Sequence, residues 1–214
     1  MKTPEIRDIS ISILIFTFVG SLYFIVKSEF NQILPTFIFS ILIILLAVFS
    51  KKITAYLLDS NVEHELWNID YLNFNKSKKL TTPLPGGIIF PLIISLITLG
   101  AVKFTAFLTY ETRALKYRAS KRFGFYSYTA MTDIHNGIIG ASSTVCLLIL
   151  AGIAYFLPNA NLEYLAKLSI YYAFWNLIPV SKLDGTQIFF GSKILWSVLM
   201  AITTIACILS IITI

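Results

Sequence analysis

Residues 174–185 read Phe-Trp-Asn-Leu-Ile-Pro-Val-Ser-Lys-Leu-Asp-Gly. An amide, a proline and an Asp-Gly pair therefore stand at the C-terminal end of an apolar segment. A carboxylate in such a setting is costly, so it usually has a function. An Asp-Gly pair after a proline is also a turn signal, and the Asp side chain is suited to capping the structure that follows. Asn176, Pro179, Asp184 and Gly185 are therefore the first candidate binding or structural residues.

The spacing Asn-x-x-Pro-x-x-x-Leu-Asp-Gly resembles the third-ligand motif of the site-2 protease family. Members of that family are intramembrane zinc metalloproteases in which this Asp binds the metal. Their other site residues come from a His-Glu-x-x-His sequence on an earlier helix, commonly followed by Lys and then Ala. The present chain has no such sequence. The best register places the motif at residues 47–51, because Lys52 and Ala55 then match the family, as does Glu-His-Glu-Leu-Trp at 63–67.

In this register the resemblance implies that the two zinc-binding histidines and the catalytic glutamate are absent. Ala47 and Lys51 replace the two zinc-binding histidines, and Val48 replaces the catalytic glutamate. The family's Gly-Pro-x-x-Asn sequence retains only its glycine, Gly140. We expect no catalytic residue and no bound cofactor, with Asp184 as the only retained family ligand.

Composition predicts the surroundings of the chain independently of any motif. Hydrophobic residues make up 57% of the sequence and charged residues 13%, and the mean hydropathy is +0.78. These values are typical of a chain embedded in lipid. No linker or repeat divides the sequence, so residues 1–214 are predicted to form a single integral membrane domain with the lipid bilayer as its main partner.

The sequence predicts an all-α polytopic membrane protein with five to six transmembrane helices. The predicted spans are 9–26, 33–50, 136–157, 164–180 and 194–214, with a membrane-inserted segment at 86–108. Gly and Pro interrupt this last segment, and basic residues lie on both sides of it. Because positive loops favour the cytoplasm, we expect it to enter and return on one side, packed against the bundle. The family also carries a membrane-inserted strand or loop near here.

Charge also predicts orientation. Placing the basic loops inside gives a cytoplasmic N-terminus, five spans and an external C-terminus, in a multi-pass protein of the cell membrane. This topology and the attraction of basic loops to anionic lipid account for the net charge of +6. Nucleic-acid binding, for which residues 113–122 are the one basic candidate, is not expected.

The two histidines raise the alternative of a rebuilt zinc site. His64 lacks a second histidine four residues on, since Asn68 stands there. His135 lies at the start of an apolar run, where Asp133 and Asn136 suggest a helix cap. A site made of His64, His135 and Asp184 would require three separate regions to converge.

The register further predicts a contact between Lys51 and Asp184. If both residues occupy ligand positions of one site, the ammonium lies near the carboxylate and favours its ionised form. The alternative is that Lys51 extends to water from the helix end and leaves Asp184 to cap a turn.

Two functions follow from these observations. The first is a proteolytically inactive relative of the site-2 proteases that binds transmembrane segments or membrane partners. The second is an active intramembrane zinc protease with relocated ligands, which needs about three protein ligands and a base. A transport or channel component is less compatible with the sequence because charges are rare in the middle of the predicted spans.

Overall fold

The structure is a computed structural model that describes residues 3–69, 84–115, 131–157 and 159–212. Its elements, in chain order, are α1 (Thr3–Val26), a 3₁₀ turn (Phe30–Gln32), α2 (Ile33–Leu57), β1 (Ser60–Leu66), α3 (Gly86–Ile97), β2 (Leu108–Ala114), α4 (Asp133–Phe156), α5 (Ala160–Leu177), α6 (Asp184–Gly191) and α7 (Lys193–Ile212).

The predicted helical membrane fold is confirmed. Among the described residues, four helices are long and apolar enough to cross a bilayer, namely α1, α2, α4 and α7. Helix α5 has 18 residues but carries Glu163 and Lys167, and it packs between α4 and α7. It ends at Leu177 and not at 180 as predicted, because a residue before a proline, here Ile178 before Pro179, disfavours the helical conformation.

Consecutive long helices run in opposite directions. The Tyr164 hydroxyl near the start of α5 donates to the Gly20 carbonyl near the end of α1, at 2.5 Å. The Trp196 indole near the start of α7 donates to the Leu177 carbonyl at the end of α5, at 3.0 Å. We call the end of the bundle where α1 begins the proximal end, and the end where α1 finishes the distal end. The last turns of α7 lie at the distal end.

The segment at 86–108 enters and leaves the bundle at the same end, as predicted. The Gly87 amide donates to the Trp67 carbonyl and the Trp67 amide donates to the Phe107 carbonyl, both at 2.8 Å, so both ends of the segment flank Trp67. Between them α3 spans only about 18 Å, which is short of a bilayer core of about 30 Å. The turn at Gly100 has a φ of +80°, and a Cβ there would lie 2.6 Å from the Tyr23 nitrogen near the end of α1.

Only residues 86–97 of this segment are helical. The chain returns without regular secondary structure, and Leu108 begins strand β2, which pairs antiparallel with β1 from Ser60 opposite Ala114 to Leu66 opposite Leu108. The two-stranded sheet is an addition to the predicted all-α fold. Its β1 edge is covered by α1, since the Glu5 and Asp8 carboxylates accept hydrogen bonds from the His64 and Leu66 amides, both at 3.3 Å.

The apolar core fills the space between α1, α2, α4, α5 and the returning chain. At its centre Phe16 contacts the rings of Phe107 and Tyr172, with centroid distances of 5.4 and 5.6 Å. Ala47 and Val48, 1% and 2% exposed, belong to this core. The returning chain is therefore part of the protein interior, which satisfies the condition for irregular backbone at membrane depth.

Candidate functional site

The Leu-Asp-Gly sequence lies at the proximal end, where α6 begins against the end of α5. A Cβ on Gly185 would lie 2.0 Å from the Leu177 carbonyl oxygen, so this close contact requires glycine. Asn176 is buried and its side-chain amide donates to the Tyr172 carbonyl at 2.8 Å and to the Thr105 carbonyl at 3.3 Å. The bond to Thr105 ties α5 to the returning chain. Pro179 lies in the exposed turn between α5 and α6.

Lys51 and Asp184 form a buried ion pair. The Lys51 Nζ lies 2.5 Å from Asp184 Oδ2, and each side chain is only 2% exposed. The predicted pairing is therefore confirmed, and the alternative in which Lys51 extends to water is wrong. Asp184 lies in the first turn of α6 and makes no side-chain cap. The Ser143 hydroxyl donates to the same Oδ2 at 3.4 Å, and the Lys51 ammonium lies 4.7 Å from the Tyr110 ring centroid.

A second buried group of charges lies beside this pair. Glu5 Oε1 accepts from Lys52 Nζ at 2.7 Å and lies 3.2 Å from His64 Nδ1. Burial lowers the pKa of His64 although Glu5 opposes the shift, so the imidazole is neutral near pH 7. Among the described residues, neither His64 Nε2 nor Asp184 Oδ1 has a hydrogen-bond partner. The sequence indicated no role for Glu5, which lies 59 residues from His64.

Tyr110 joins the two-stranded sheet to α4. Burial and the Asp184 carboxylate raise the pKa of Tyr110, so the phenol stays protonated and donates to the Asn136 carbonyl at 2.7 Å. A Cβ on Gly140 would lie 2.6 Å from the Tyr110 hydroxyl, so the glycine admits this ring. In the sequence, Gly140 is marked only as the glycine of the family's Gly-Pro-x-x-Asn position.

The residues at the expected metal positions do not fit zinc. Ala47 and Val48 supply hydrocarbon, Lys51 supplies an ammonium, and only Asp184 carries a metal-binding oxygen. Within residues 3–69, 84–115, 131–157 and 159–212, no three His, Cys, Asp or Glu side chains form a group able to hold a metal.

The rebuilt site of His64, His135 and Asp184 is therefore not formed. His135 is hydrogen-bonded to the Thr132 side chain. Thr132, and not Asp133 or Asn136, is the N-cap of α4 and accepts from the His135 amide.

A polar groove of about 560 Å³ opens at the proximal end between β2 and α6. Its wall includes Tyr110 and Thr112 from β2, and Gln187 and Phe190 from α6. In the two-stranded sheet, odd-numbered residues form the hydrogen-bonded pairs, as Asp59 and Leu115 do. The N–H and C=O groups of the even-numbered Tyr110 and Thr112 therefore point away from β1. The Gln187 side chain donates to the outward Tyr110 carbonyl at 2.9 Å.

Comparisons with protein families, with curated proteins and with solved structures found no match for this chain.

Proposed function

We propose that this protein is a non-proteolytic membrane scaffold that resembles the site-2 proteases and binds a segment of a membrane partner in the groove between β2 and α6. The observation that carries the proposal is the buried Lys51–Asp184 pair. In the family that the chain resembles, a histidine and an aspartate at these positions bind one metal. Here the Lys51 ammonium supplies the positive charge next to Asp184.

The chemistry of the pair supports a structural role. A lysine ammonium donates hydrogen bonds and has no lone pair to offer a metal. Val48, at the position of the catalytic glutamate, has no group that accepts a proton from water. The pair therefore joins α2 to α6 and keeps the end of the bundle assembled.

The groove supports the binding part of the proposal. It lies next to Asp184, and its β2 wall presents the outward backbone groups of Tyr110 and Thr112, of which the Tyr110 carbonyl accepts from Gln187, whereas the outer amides of β1 are bonded to Glu5 and Asp8. An extended segment gains affinity by pairing with such an edge. The expected partner is therefore a membrane protein whose transmembrane segment unwinds or ends near the proximal face. This end faces the cytoplasm in our proposal, and the C-terminus lies outside.

Metal analysis of the purified protein tests the loss of the zinc site. We expect wild type to contain far less than one zinc per chain, with no change in Asp184→Ala. The matched control is Asp133→Ala, which alters an exposed carboxylate at the start of α4. One zinc per chain that is lost only in Asp184→Ala, together with chelator-sensitive cleavage of a transmembrane substrate, would contradict the proposal. That result would establish the alternative of an active zinc protease with relocated ligands.

Crosslinking tests the groove. A photoreactive residue at Phe190, which lines the groove and is 71% exposed, should give an adduct with a membrane partner. The same residue at Phe156, which is 86% exposed at the end of α4, is the control. The adduct should disappear when Thr112→Trp fills the groove. Equal adducts at both positions would reject the groove as the binding site.

A further inference from the structure

A second cavity lies at the distal half of the bundle, between α4, α5 and α7. It has a volume of about 320 Å³, and its walls are almost wholly apolar. Small residues, among them Ala151, Gly152 and Ala206, make it a slot and not a flat surface. A Cβ added to Gly152 would meet no atom within 4 Å. The slot extends to Tyr155, the last residue but one of α4, and so reaches the distal end of the bundle.

Among the described residues, one cation lines this slot. Lys167 is the charged member of the wall, and it lies two turns into α5, roughly 10 Å from the start of that helix. A side chain of this length bridges apolar surface and the headgroup level of a bilayer. Glu163 attracts Lys167, but no carboxylate among the described residues lies within 4 Å of its ammonium.

A second cation strengthens the positive charge next to the slot. Lys103, in the returning part of the re-entrant segment, is half-buried and lies beside α5, near Tyr164 and Tyr171, which stand about one turn before and one turn after Lys167. Its ammonium lies 5.7 to 5.9 Å from the ring centroids of Tyr23, Tyr164 and Tyr171. Lys103 likewise makes no ion pair in the part of the chain that the structure describes. Lys167 in the wall of the apolar slot and Lys103 beside it, neither with a carboxylate within 4 Å among the described residues, form a cationic site suited to an anion.

We propose that the slot binds an anionic phospholipid, with one acyl chain between α4, α5 and α7 and the headgroup phosphate at Lys167 and Lys103. Both parts of the site match this ligand, since the slot takes hydrocarbon and the lysines neutralise the phosphate. Tyrosines at this level are typical of the bilayer interface. A transmembrane helix of another protein would fill the slot but would leave the two lysines without a counter-charge. The site is separate from the proximal groove and does not depend on the proposed function.

The test measures lipid binding by native mass spectrometry of the full-length protein released from detergent. The two probes are phosphatidylglycerol and phosphatidylcholine with identical acyl chains. A lysine near the headgroups contributes about fivefold in affinity for an anionic lipid, so wild type should prefer phosphatidylglycerol by about fivefold or more. Lys167→Gln should reduce the ratio of phosphatidylglycerol to phosphatidylcholine affinity about fivefold, and Lys167→Arg should leave this ratio unchanged. The control Lys193→Gln, at the exposed start of α7, should match wild type.

A second variant tests the acyl-chain part of the site. Gly152→Leu places a side chain in the slot and should weaken the binding of both lipids while leaving the helical circular dichroism unchanged. Inorganic phosphate should not displace bound phosphatidylglycerol, because the free anion lacks the chain. The proposal is overturned if the preference survives Lys167→Gln, or if phosphate alone competes. It is also overturned if Gly152→Leu dissociates an oligomer without altering lipid binding, which would assign the slot to a partner helix.

Discussion

The Lys51–Asp184 pair gives the sharpest prediction about stability. Lys51→Met keeps an unbranched side chain of nearly the same length but removes the ammonium. The Asp184 side chain is 2% exposed, and the Ser143 hydroxyl, 3.4 Å from its carboxylate, also donates to the Gly140 carbonyl at 2.8 Å. Removing one member of a buried ion pair typically costs about 3–5 kcal/mol because the other charge stays buried and uncompensated. We expect Lys51→Met to lower the free energy of unfolding by this amount.

A double-mutant cycle separates the pair from its surroundings. Asp184→Asn removes the carboxylate charge, and the double variant Lys51→Met with Asp184→Asn removes both charges at once. Replacing a buried pair by neutral groups is often close to neutral, so the double variant should be more stable than Lys51→Met alone. The coupling between the two changes should reach at least about 2 kcal/mol.

The assay is reversible unfolding in mixed micelles, followed by tryptophan fluorescence. Lys193→Met is the matched control, since it deletes an exposed lysine ammonium and should change stability by no more than about 0.5 kcal/mol. If the effects of the two single changes simply add in the double variant, the ion pair does not stabilise the fold and the reasoning fails.

Three further predictions concern other parts of the molecule. Gly185→Ala should prevent normal packing of α6 against the Leu177 carbonyl and cost more than about 3 kcal/mol in the same unfolding assay, whereas a loss under 1 kcal/mol would show that the turn adapts. Because burial lowers the pKa of His64 below its unfolded value of about 6.5, the unfolded state takes up the proton first, so stability should fall as the pH drops from about 7 to 5. His64→Gln should flatten that dependence, and an unchanged slope would place the titration elsewhere. Cysteines at Ser77 and Ser120, which lie outside the described residues, should label from the same side of the membrane in a background without the native cysteines, and opposite labelling would contradict the re-entrant path.

The register of the family resemblance was sufficient to predict the Lys51–Asp184 contact. Apolar runs predicted the long helices, and the Asn-Pro-Asp-Gly spacing aligned Asp184 with Lys51 through the family resemblance. The predicted end of α2 at residue 50 was too early, since the helix continues to Leu57. Charged side chains suggested the end of the apolar span there, but lysine favours the helical conformation, and Lys51 and Lys52 are paired with Asp184 and Glu5.

The sheet and the Glu5 group were beyond the reach of sequence patterns. Strand β1 alternates buried and less buried residues, but its buried face includes the polar Ser60 and His64, so no apolar alternation marks it. Glu5 precedes an apolar run, where a charge is ordinarily at the headgroup level. The contact of Glu5 with His64 depends on how α1 packs on the two-stranded sheet, and no local sequence pattern contains that information.

The buried pair also constrains how the protein enters the membrane during synthesis. Lys51 emerges from the ribosome long before Asp184, so α2 must be inserted while its lysine still lacks its carboxylate. A lysine in the last two turns of a helix tolerates this interval because its side chain reaches the headgroup region. Burial of Lys51 is therefore a late event of biogenesis, completed when α6 docks, and truncated chains that end before Asp184 should expose this lysine to quality control.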